Sequence, residues 1–325
     1  MRRRQFIKLL GGAATWPLAG HAQPAMPVIG FLTPGSPAPW RMAVGAFQNG
    51  LREAGYIEGQ NVVIEYRFAE GRNDRLPELA ADLVRLRVAV IAAVGGPNSP
   101  LAAKAISAST PIVFVTGTDP VEARIVTSIN RPEANLTGVH MLSTLVGPKR
   151  LELLHDLVPA TESVAILVNP TRATNQHELP DIQGAAHSLG LQLRVLPVST
   201  DVELDVAFAT IKEQHIGALL VHGDNFFTNR RDQLVLLTTR HAIPTMFAFR
   251  EYVVAGGLMS YGPSIRAAYS QAGIYVGRIL KGAKPSDLPV VQSTKIELVI
   301  NLNAAKVLDL KIPPTLLAIV DEVIE

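Results

Sequence analysis

Pro111-Ile-Val-Phe-Val-Thr-Gly-Thr-Asp-Pro120 is the stretch of sequence that decides the fold. Four apolar, mostly β-branched residues follow the first proline without alternation, which is typical of a strand that helices cover on both faces. The apolar run ends where small and turn-forming residues collect, from Thr116 to Asp119. Open parallel sheets bind ligands at the carboxyl edge of their strands. The stretch therefore predicts a buried parallel strand and a loop at a binding site.

The same unit, an apolar run followed by a polar loop, recurs along the chain and alternates with helical patterns. Such alternation predicts parallel sheets with helices on both faces. The predicted fold class is α/β, with two doubly wound Rossmann-like lobes joined by a multi-strand hinge. The strand-like runs are residues 28–32, 62–68, 88–94 and 112–115 in the first half, and 164–168, 191–198, 218–221 and 245–249 in the second.

Three segments interrupt the alternation and are candidates for passages between the lobes: residues 130–148, 256–262 and 295–302. A helical pattern at residues 265–280 is expected to return to the first lobe. Lobes joined by several segments move by a hinge, and a cleft that closes on a ligand shields the ligand from water. We expect an N-terminal lobe of residues 27–138 plus 263–292 and a C-terminal lobe of residues 139–262 plus 293–325.

The first 22 residues have the pattern of a targeting segment. A basic head, Arg2-Arg3-Arg4, precedes a short apolar stretch and small residues, as in a signal peptide. Arg3-Arg4-x-Phe6-Ile7-Lys8 also resembles a twin-arginine export signal, and an ordinary secretory signal is the alternative. We expect residues 1–22 to be removed and the mature protein to reside in the periplasm.

Composition narrows the function classes. A chain of 325 residues with 48% hydrophobic residues is long enough for two packed domains. Its formal net charge is +2, and removal of residues 1–22 leaves 26 Lys and Arg against 28 Asp and Glu. This balance argues against nucleic acid as a partner. The absence of cysteine excludes disulfides, a thiolate metal site and a cysteine nucleophile.

Motifs for nucleotide, metal and acyl-transfer chemistry are missing. The sequence has neither a phosphate-binding loop nor a Gly-x-Gly-x-x-Gly after a strand. His177-Glu178 is not followed by the second histidine of a zinc protease, and no Gly-x-Ser-x-Gly occurs. We therefore expect no cofactor and no metal. His222, beside Asp224 at a strand end, is either a ligand or catalytic group or a packed histidine.

Candidate ligand-binding residues lie at the predicted strand ends. The carboxylates of Asp119 and Asp224 could hold a ligand ammonium, cap helices or perform acid–base chemistry. Arg250 could bind a ligand carboxylate, or pair with Glu251 or cap a carbonyl, and Tyr261 could reach a ligand or pack at the hinge. The other candidates are small donors and acceptors suited to a polar cleft: Thr33, Ser36, Gly96, Ser99, Thr116, Asn169 and Asn175.

Several segments, besides the export signal, carry a family likeness: Pro27-Val-Ile-Gly-Phe-Leu32, Gly50-Leu-Arg-Glu-Ala-Gly-Tyr-Ile-Glu-Gly-Gln-Asn-Val62, Arg75-Leu-Pro-Glu-Leu-Ala80, Arg250-Glu-Tyr252, Gly256-Gly-Leu-Met-Ser-Tyr-Gly262 and Ile274-Tyr-Val-Gly-Arg-Ile-Leu-Lys-Gly282. Together they resemble the solute-binding proteins of ABC importers, specifically the tryptophan/tyrosine-type branch. This resemblance implies a type I periplasmic binding-protein fold, no catalysis, and delivery of a small solute to an inner-membrane permease. The solute would be an amino acid or a related carboxylate, and we expect the protein to be a monomer.

Two alternatives stay open at the level of sequence. A secreted two-lobed hydrolase or transferase could use Asp119, Asp224 and His222. A ligand sensor could present its closed form to a membrane receptor instead of a transporter.

Overall fold

The chain folds into two α/β lobes, each built on its own sheet. The computed structural model describes residues 26–132, 135–172 and 175–325. The predicted signal peptide, residues 1–22, lies outside the described residues. Among the described residues, no helix is long and apolar enough to cross a membrane.

The sheet of the N-terminal lobe is parallel throughout, with strand order β2-β1-β3-β4-β5-β11. The order reverses between β1 and β3, which is the switch point at which doubly wound sheets bind ligands. Residues on both faces of β3 are buried, as the unalternating apolar sequence predicts. The strands are β1 (Val28–Thr33), β2 (Val63–Phe68), β3 (Val90–Val94), β4 (Ile112–Thr116), β5 (Leu136–His140) and β11 (Val291–Gln292).

The C-terminal lobe repeats this topology in a sheet of order β13-β12-β10-β9-β8-β6-β7. Its pairings are parallel except for the antiparallel pair β10 and β12, and its switch point lies between β6 and β8. The strands are β6 (Ser163–Val168), β7 (Gln192–Pro197), β8 (Ala218–Val221), β9 (Thr245–Phe247), β10 (Met259–Pro263), β12 (Ile296–Asn301) and β13 (Glu322–Ile324).

Helices cover both faces of each sheet and divide the apolar core of each lobe into two clusters. The N-terminal lobe has α1 (Pro37–Glu53), α2 (Leu76–Arg85), α3 (Asn98–Ile106) and α10 (Ile265–Leu280). The C-terminal lobe has α4 (Gly147–Leu157), α5 (Asn175–Ser188), α6 (Asp201–Glu213), α7 (Asn225–Asn229), α8 (Arg231–Arg240), α9 (Arg250–Val254), α11 (Leu302–Val307) and α12 (Pro314–Leu317). Short 3₁₀ turns occupy Asn73–Arg75 and Pro285–Asp287.

Helix α10 packs on α1, in the lobe to which the sequence assigned it. Glycine allows the close approach, because a Cβ built at Gly273 would lie 2.2 Å from the backbone oxygen of Phe47. The same holds for Gly50, whose Cβ would lie 1.8 Å from the oxygen of Ser270. The two backbones are therefore in direct contact, which fixes α10 firmly to the N-terminal lobe.

The chain passes between the sheets at three short connections: after β5, after β10 and after β11. The sequence predicts passages within residues 130–148, 256–262 and 295–302, and the first of these segments contains the connection after β5. In the structure, β5 belongs to the N-terminal sheet, and β10 and β12 are neighbours inside the C-terminal sheet. Each strand borders a connection and pairs with other strands, because a buried backbone segment needs partners for its hydrogen bonds.

Candidate functional site

A cleft of about 820 Å³ lies between the two lobes. Its walls are the loops that follow β1, β3 and β4 in one lobe and β6, β8 and β9 in the other. These loops lie at the carboxyl ends of parallel strands and include both switch points. Each sheet thus presents its ligand-binding edge to the same cavity.

Hydrogen bonds across the cleft hold the lobes together. Trp40 Nε1 donates to Asn229 Oδ1 at 3.0 Å, and Arg231 Nη1 donates to the Pro39 carbonyl at 3.4 Å. Asn225 Nδ2 donates to the carbonyl oxygen of Gly95. Because these bonds join α1 and the β3–α3 loop to α7 and α8, the structure has the closed arrangement of the lobes.

Aromatic rings line both sides of the cleft. Trp40 and Tyr269, from α1 and α10 of the N-terminal lobe, meet edge to face with ring centroids 6.1 Å apart. The C-terminal lobe contributes Phe226, Phe249 and Tyr252. Rings facing one another across a closing cleft are suited to enclosing an apolar or aromatic group.

The cleft also contains ionised groups of both signs. Arg230 is neutralised locally, since it pairs with Asp201 and lies over the Phe226 ring at 3.8 Å. Arg72 pairs with Asp74 at 2.8 Å. The remaining charged lining residues are Glu70, Glu122, Arg172, Asp224, Arg231 and Glu251.

Glu251, in the first turn of α9, is the least satisfied of these groups. Its Oε2 atom is inaccessible to solvent and has no hydrogen-bond partner among the described residues. Burial raises the pKa of Glu251, and the nearby Arg250 and Arg231 oppose that rise. A buried carboxylate of this kind is costly until a cation or donor approaches it.

Three of the predicted site residues line the cleft: Gly96, Asn169 and Asp224. Asn169 Nδ2 donates to Asp224 Oδ1 at 2.9 Å, and the same oxygen accepts from the Phe226 N–H at 2.7 Å. Asp224 therefore caps α7 and also faces the cavity. The structure thus shows the capping role of Asp224, and its contact with a ligand stays a prediction.

The other predicted residues of the strand-end loops do not line the cleft. Thr33 and Thr116 are fully buried, and their hydroxyls bond the backbone of Gly35 and Thr118. Asp119 accepts from the Val121 and Glu122 N–H groups at 2.7 and 3.1 Å, which stabilises the turn after β4 and caps no helix of the described residues. Ser36, Ser99 and Asn175 lie at the starts of α1, α3 and α5 and are likewise absent from the cleft lining.

Arg250, Tyr261 and His222 also lie away from the cleft lining. Arg250 makes a bidentate pair with Glu322 of β13, with Nε 2.6 Å from Oε2. Tyr261 packs on the core of the C-terminal lobe. His222 is only 3% exposed and pairs with Glu178, so it matches the packed role that was one of its two interpretations.

Sequence reasoning missed Trp40, Tyr269, Glu251 and Arg172 as cleft residues. Trp40 and Tyr269 lie on helices, whereas the sequence signals for a binding site lie at strand ends. Glu251 adjoins Arg250, which was chosen instead, and Arg172 follows Asn169 in a loop that the sequence did identify. In the described ranges, no cluster of three or more His, Cys, Asp or Glu could hold a metal ion.

Comparison with known proteins identifies the family. The model of the family "ABC transporter substrate binding protein" matches residues 37–324. The chain belongs to this family. A "Tyrosine-binding protein" of Clostridioides difficile (strain R20291) is 24% identical to this family member over 265 residues, which cover 82% of this chain and 76% of the relative.

Solved structures confirm the fold. A structure of an ABC domain in complex with L-Trp from Streptococcus pneumonia superimposes with a TM-score of 0.78 at 23% identity, covering 91% of this chain and 100% of that chain. A leucine-binding protein from Thermotoga maritima superimposes with a TM-score of 0.56 at 13% identity, covering 78% of this chain and 83% of that chain. The two-lobed type I periplasmic binding-protein fold that the sequence predicted is therefore confirmed.

Family membership also settles the class of activity. Substrate-binding proteins of ABC transporters bind a small solute and are not enzymes, so the prediction of no catalysis is confirmed. Their transporter context implies a permease as the partner.

Proposed function

We propose that this substrate-binding protein captures an aromatic amino acid by closure of the two lobes and delivers it to the permease of an ABC importer. The observation that carries the proposal is the buried Glu251 Oε2, which has no hydrogen-bond partner among the described residues, in a cleft whose walls carry aromatic rings. The named relatives support it, since one is a tyrosine-binding protein and another was solved with L-Trp.

The aromatic side chain of the solute would lie between Trp40 and Tyr269 on one side and Phe226 on the other. Ring pairs add about 0.5–1.5 kcal/mol each beyond the burial of apolar area. A cavity of about 820 Å³ falls within the range of small-molecule sites. Gly96, Asn169 and Asp224 remain proposed ligand contacts at the strand ends.

The α-ammonium of the solute would bind Glu251. Burial raises the pKa of this carboxyl and so disfavours its charged form in the free protein. A ligand ammonium beside it would favour the charged form, because opposite charges at close range stabilise each other. The binding free energy would thus include relief of a cost that the empty cleft carries.

The first experiment is thermal unfolding of the chain from residue 23 in the presence of the common amino acids, one at a time. Any ligand carried through purification is removed by partial unfolding and dialysis beforehand. We expect tyrosine, tryptophan and phenylalanine to stabilise the protein, by about 2.7 kcal/mol at a hundredfold excess over Kd. Stabilisation by other amino acids alone would contradict the aromatic assignment.

A second measurement tests capture against turnover. The sequence has two tryptophans, Trp16 and Trp40, so the chain from residue 23 keeps Trp40 alone. Trp40 lines the cleft, and its fluorescence should change on titration with phenylalanine. The phenylalanine recovered afterwards should be chemically unchanged, and an altered product would refute a purely binding role.

The biological setting is also proposed. Residues 1–22 would act as an export signal, by the twin-arginine or the general route, and the mature chain would act as a monomer in the periplasm. The lobe limits given above, residues 27–138 plus 263–292 and residues 139–262 plus 293–325, remain a proposal. N-terminal sequencing of the exported protein tests the predicted cleavage.

A further inference from the structure

A ring of three side chains lies at the switch point of the C-terminal lobe. Arg172 Nη1 lies 2.8 Å from Glu178 Oε1 and donates to His222 Nδ1 at 2.9 Å. His222 Nε2 lies 2.6 Å from Glu178 Oε2 and closes the ring. Glu178 and His222 are buried, while Arg172 reaches the surface of the cleft. The ring therefore fixes the guanidinium of Arg172 at the cavity wall.

The contacts assign the tautomer of His222. Arginine has only donors and lies nearer to Nδ1, at 2.9 Å against 3.2 Å from Nε2, while the acceptor carboxylate of Glu178 lies 2.6 Å from Nε2, so a proton on Nε2 and none on Nδ1 suits these contacts. A second proton on Nδ1 would face the Arg172 N–H. Burial lowers the pKa of His222, and the charges of Arg172 and Arg150 lower it further. His222 is thus neutral near pH 7 and adds no charge to the ring.

A second arginine lies beneath the first. Arg150, on α4, is 2% exposed, and its Nε donates to the Tyr261 carbonyl at 2.6 Å. Burial lowers the pKa of Arg150 to about 10, with Glu178 opposing the shift, so Arg150 stays charged near pH 7. Its Nη2 donates to the Ala248 carbonyl at 3.4 Å, so its hydrogen bonds go to backbone oxygens. The group therefore has two positive charges, Arg150 and Arg172, against the single negative charge of Glu178.

Of these two arginines, Arg172 is the one that lines the cleft. The hydrogen bonds of Arg172 use Nη1, whereas its Nε and Nη2 make none to residues 26–132, 135–172 or 175–325. Asp224, on the same wall, binds Asn169 and the first turn of α7 and makes no ion pair with either arginine in those ranges. Poorly solvated charge is costly unless it is compensated. A ligand anion is the compensation that the cleft can provide.

We propose that Arg172 is the residue that binds the α-carboxylate of the solute, with Glu178 and His222 as residues that position it. The inference rests on the proposed function, because it assumes that the solute carries a carboxylate. It assigns the two ends of the zwitterion to different groups of one lobe, the ammonium to Glu251 and the carboxylate to Arg172.

The test compares four compounds by isothermal calorimetry on the purified protein: L-tryptophan, L-tryptophanamide, tryptamine and 3-indolepropionate. The amide and the amine lack the carboxylate, and the propionate lacks the ammonium. We expect L-tryptophan to bind about tenfold to a hundredfold more tightly than its amide, as for hydrogen bonds to a charged group. In Arg172→Gln the acid and the amide should bind with equal affinity.

Arg230→Gln is the matched control. Arg230 also lines the cleft, but Asp201 already neutralises it, so this variant should leave the ratio of acid to amide affinity unchanged. His222→Leu tests positioning. It should weaken the binding of L-tryptophan and leave the binding of L-tryptophanamide unchanged, whereas loss of a purely structural role would weaken the binding of both equally. If Arg172→Gln fails to fold, the role of Arg172 is still tested by Arg172→Lys and by the affinities of the wild type for L-tryptophan and its amide.

The outcomes separate the two proposals. Equal binding of acid and amide by the wild type, or an unchanged preference in Arg172→Gln, overturns the role of Arg172 and leaves the amino-acid assignment intact. Tighter binding of 3-indolepropionate than of L-tryptophan overturns the amino-acid assignment and supports a carboxylate site. Binding of none of the four compounds overturns both proposals.

Discussion

The hydrogen bond between Trp40 and Asn229 connects the two lobes and gives a direct test of closure. Trp40 is 5% exposed, and its indole N–H donates to Asn229 Oδ1 at 3.0 Å. Trp40 belongs to α1 of the N-terminal lobe, while Asn229 ends α7 of the other. Asn229 is not among the residues that line the cleft. Asn229→Ala therefore removes an interlobe bond without removing a lining side chain.

The size of the effect follows from the state in which the bond exists. A neutral hydrogen bond contributes about 1 kcal/mol net, and 1.4 kcal/mol corresponds to a factor of ten. The bond forms only in the closed state, so its whole contribution enters the equilibrium between open and closed forms. If the free protein is mainly open, the apparent Kd for L-phenylalanine should rise about fivefold.

The assay is titration with L-phenylalanine followed by Trp40 fluorescence and by calorimetry. Asn49→Ala is the matched control, because Asn49 accepts a bond from Arg52 at 2.8 Å on the exposed side of α1, within one lobe. The control should bind like the wild type. An unchanged Kd in Asn229→Ala would refute the reasoning. So would an equal loss in the unfolding free energy of the free protein, since the bond would then exist without ligand.

Three further predictions concern stability. Gly273→Ala should lower the unfolding free energy, measured by urea titration, by about 1–3 kcal/mol, because the added Cβ would meet the Phe47 backbone oxygen. Gly45→Ala is the control: the helix has open space there, so this variant should raise the unfolding free energy slightly. Glu251→Gln should stabilise the ligand-free protein near pH 7, since burial raises the pKa of this carboxyl, and should weaken L-phenylalanine binding about tenfold or more by calorimetry. Burial lowers the pKa of His222, so the stability that depends on its neutral form is fully present above about pH 6.5 and is lost as the pH falls. His222→Leu should therefore flatten the dependence of the unfolding free energy on pH below that value.

The fold could be predicted because its decisive signals are local. The runs that became β3, β4, β6 and β8 are apolar on both faces, and parallel sheets covered by helices require that pattern. The passages between lobes carry no comparable signal. Residues 130–148 do contain the connection after β5, whereas the predicted passages 256–262 and 295–302 fall largely in β10 and β12, because a strand beside a connection has the same composition as one inside it.

The candidate site could be predicted only where it depends on strand ends. Asn169 and Asp224 follow buried strands beside the switch point, so topology alone places them at the cleft. The direction in which a side chain on a helix points is harder to infer from sequence. Consecutive helical residues point about 100° apart, and Arg250 accordingly turns toward Glu322 while its neighbour Glu251 faces the cleft.

The placement of the lining side chains explains why closure and recognition are coupled in the proposed function. The groups proposed to bind the charged ends of the solute, Arg172 and Glu251, both belong to the C-terminal lobe. The indole of Trp40 belongs to the other lobe and also donates the interlobe bond to Asn229. A solute held by its ends in one lobe is shielded from water only when the other lobe brings Trp40 over it. The burial of an aromatic side chain thus stabilises the same closed state that the hydrogen bond stabilises, because both depend on one indole ring.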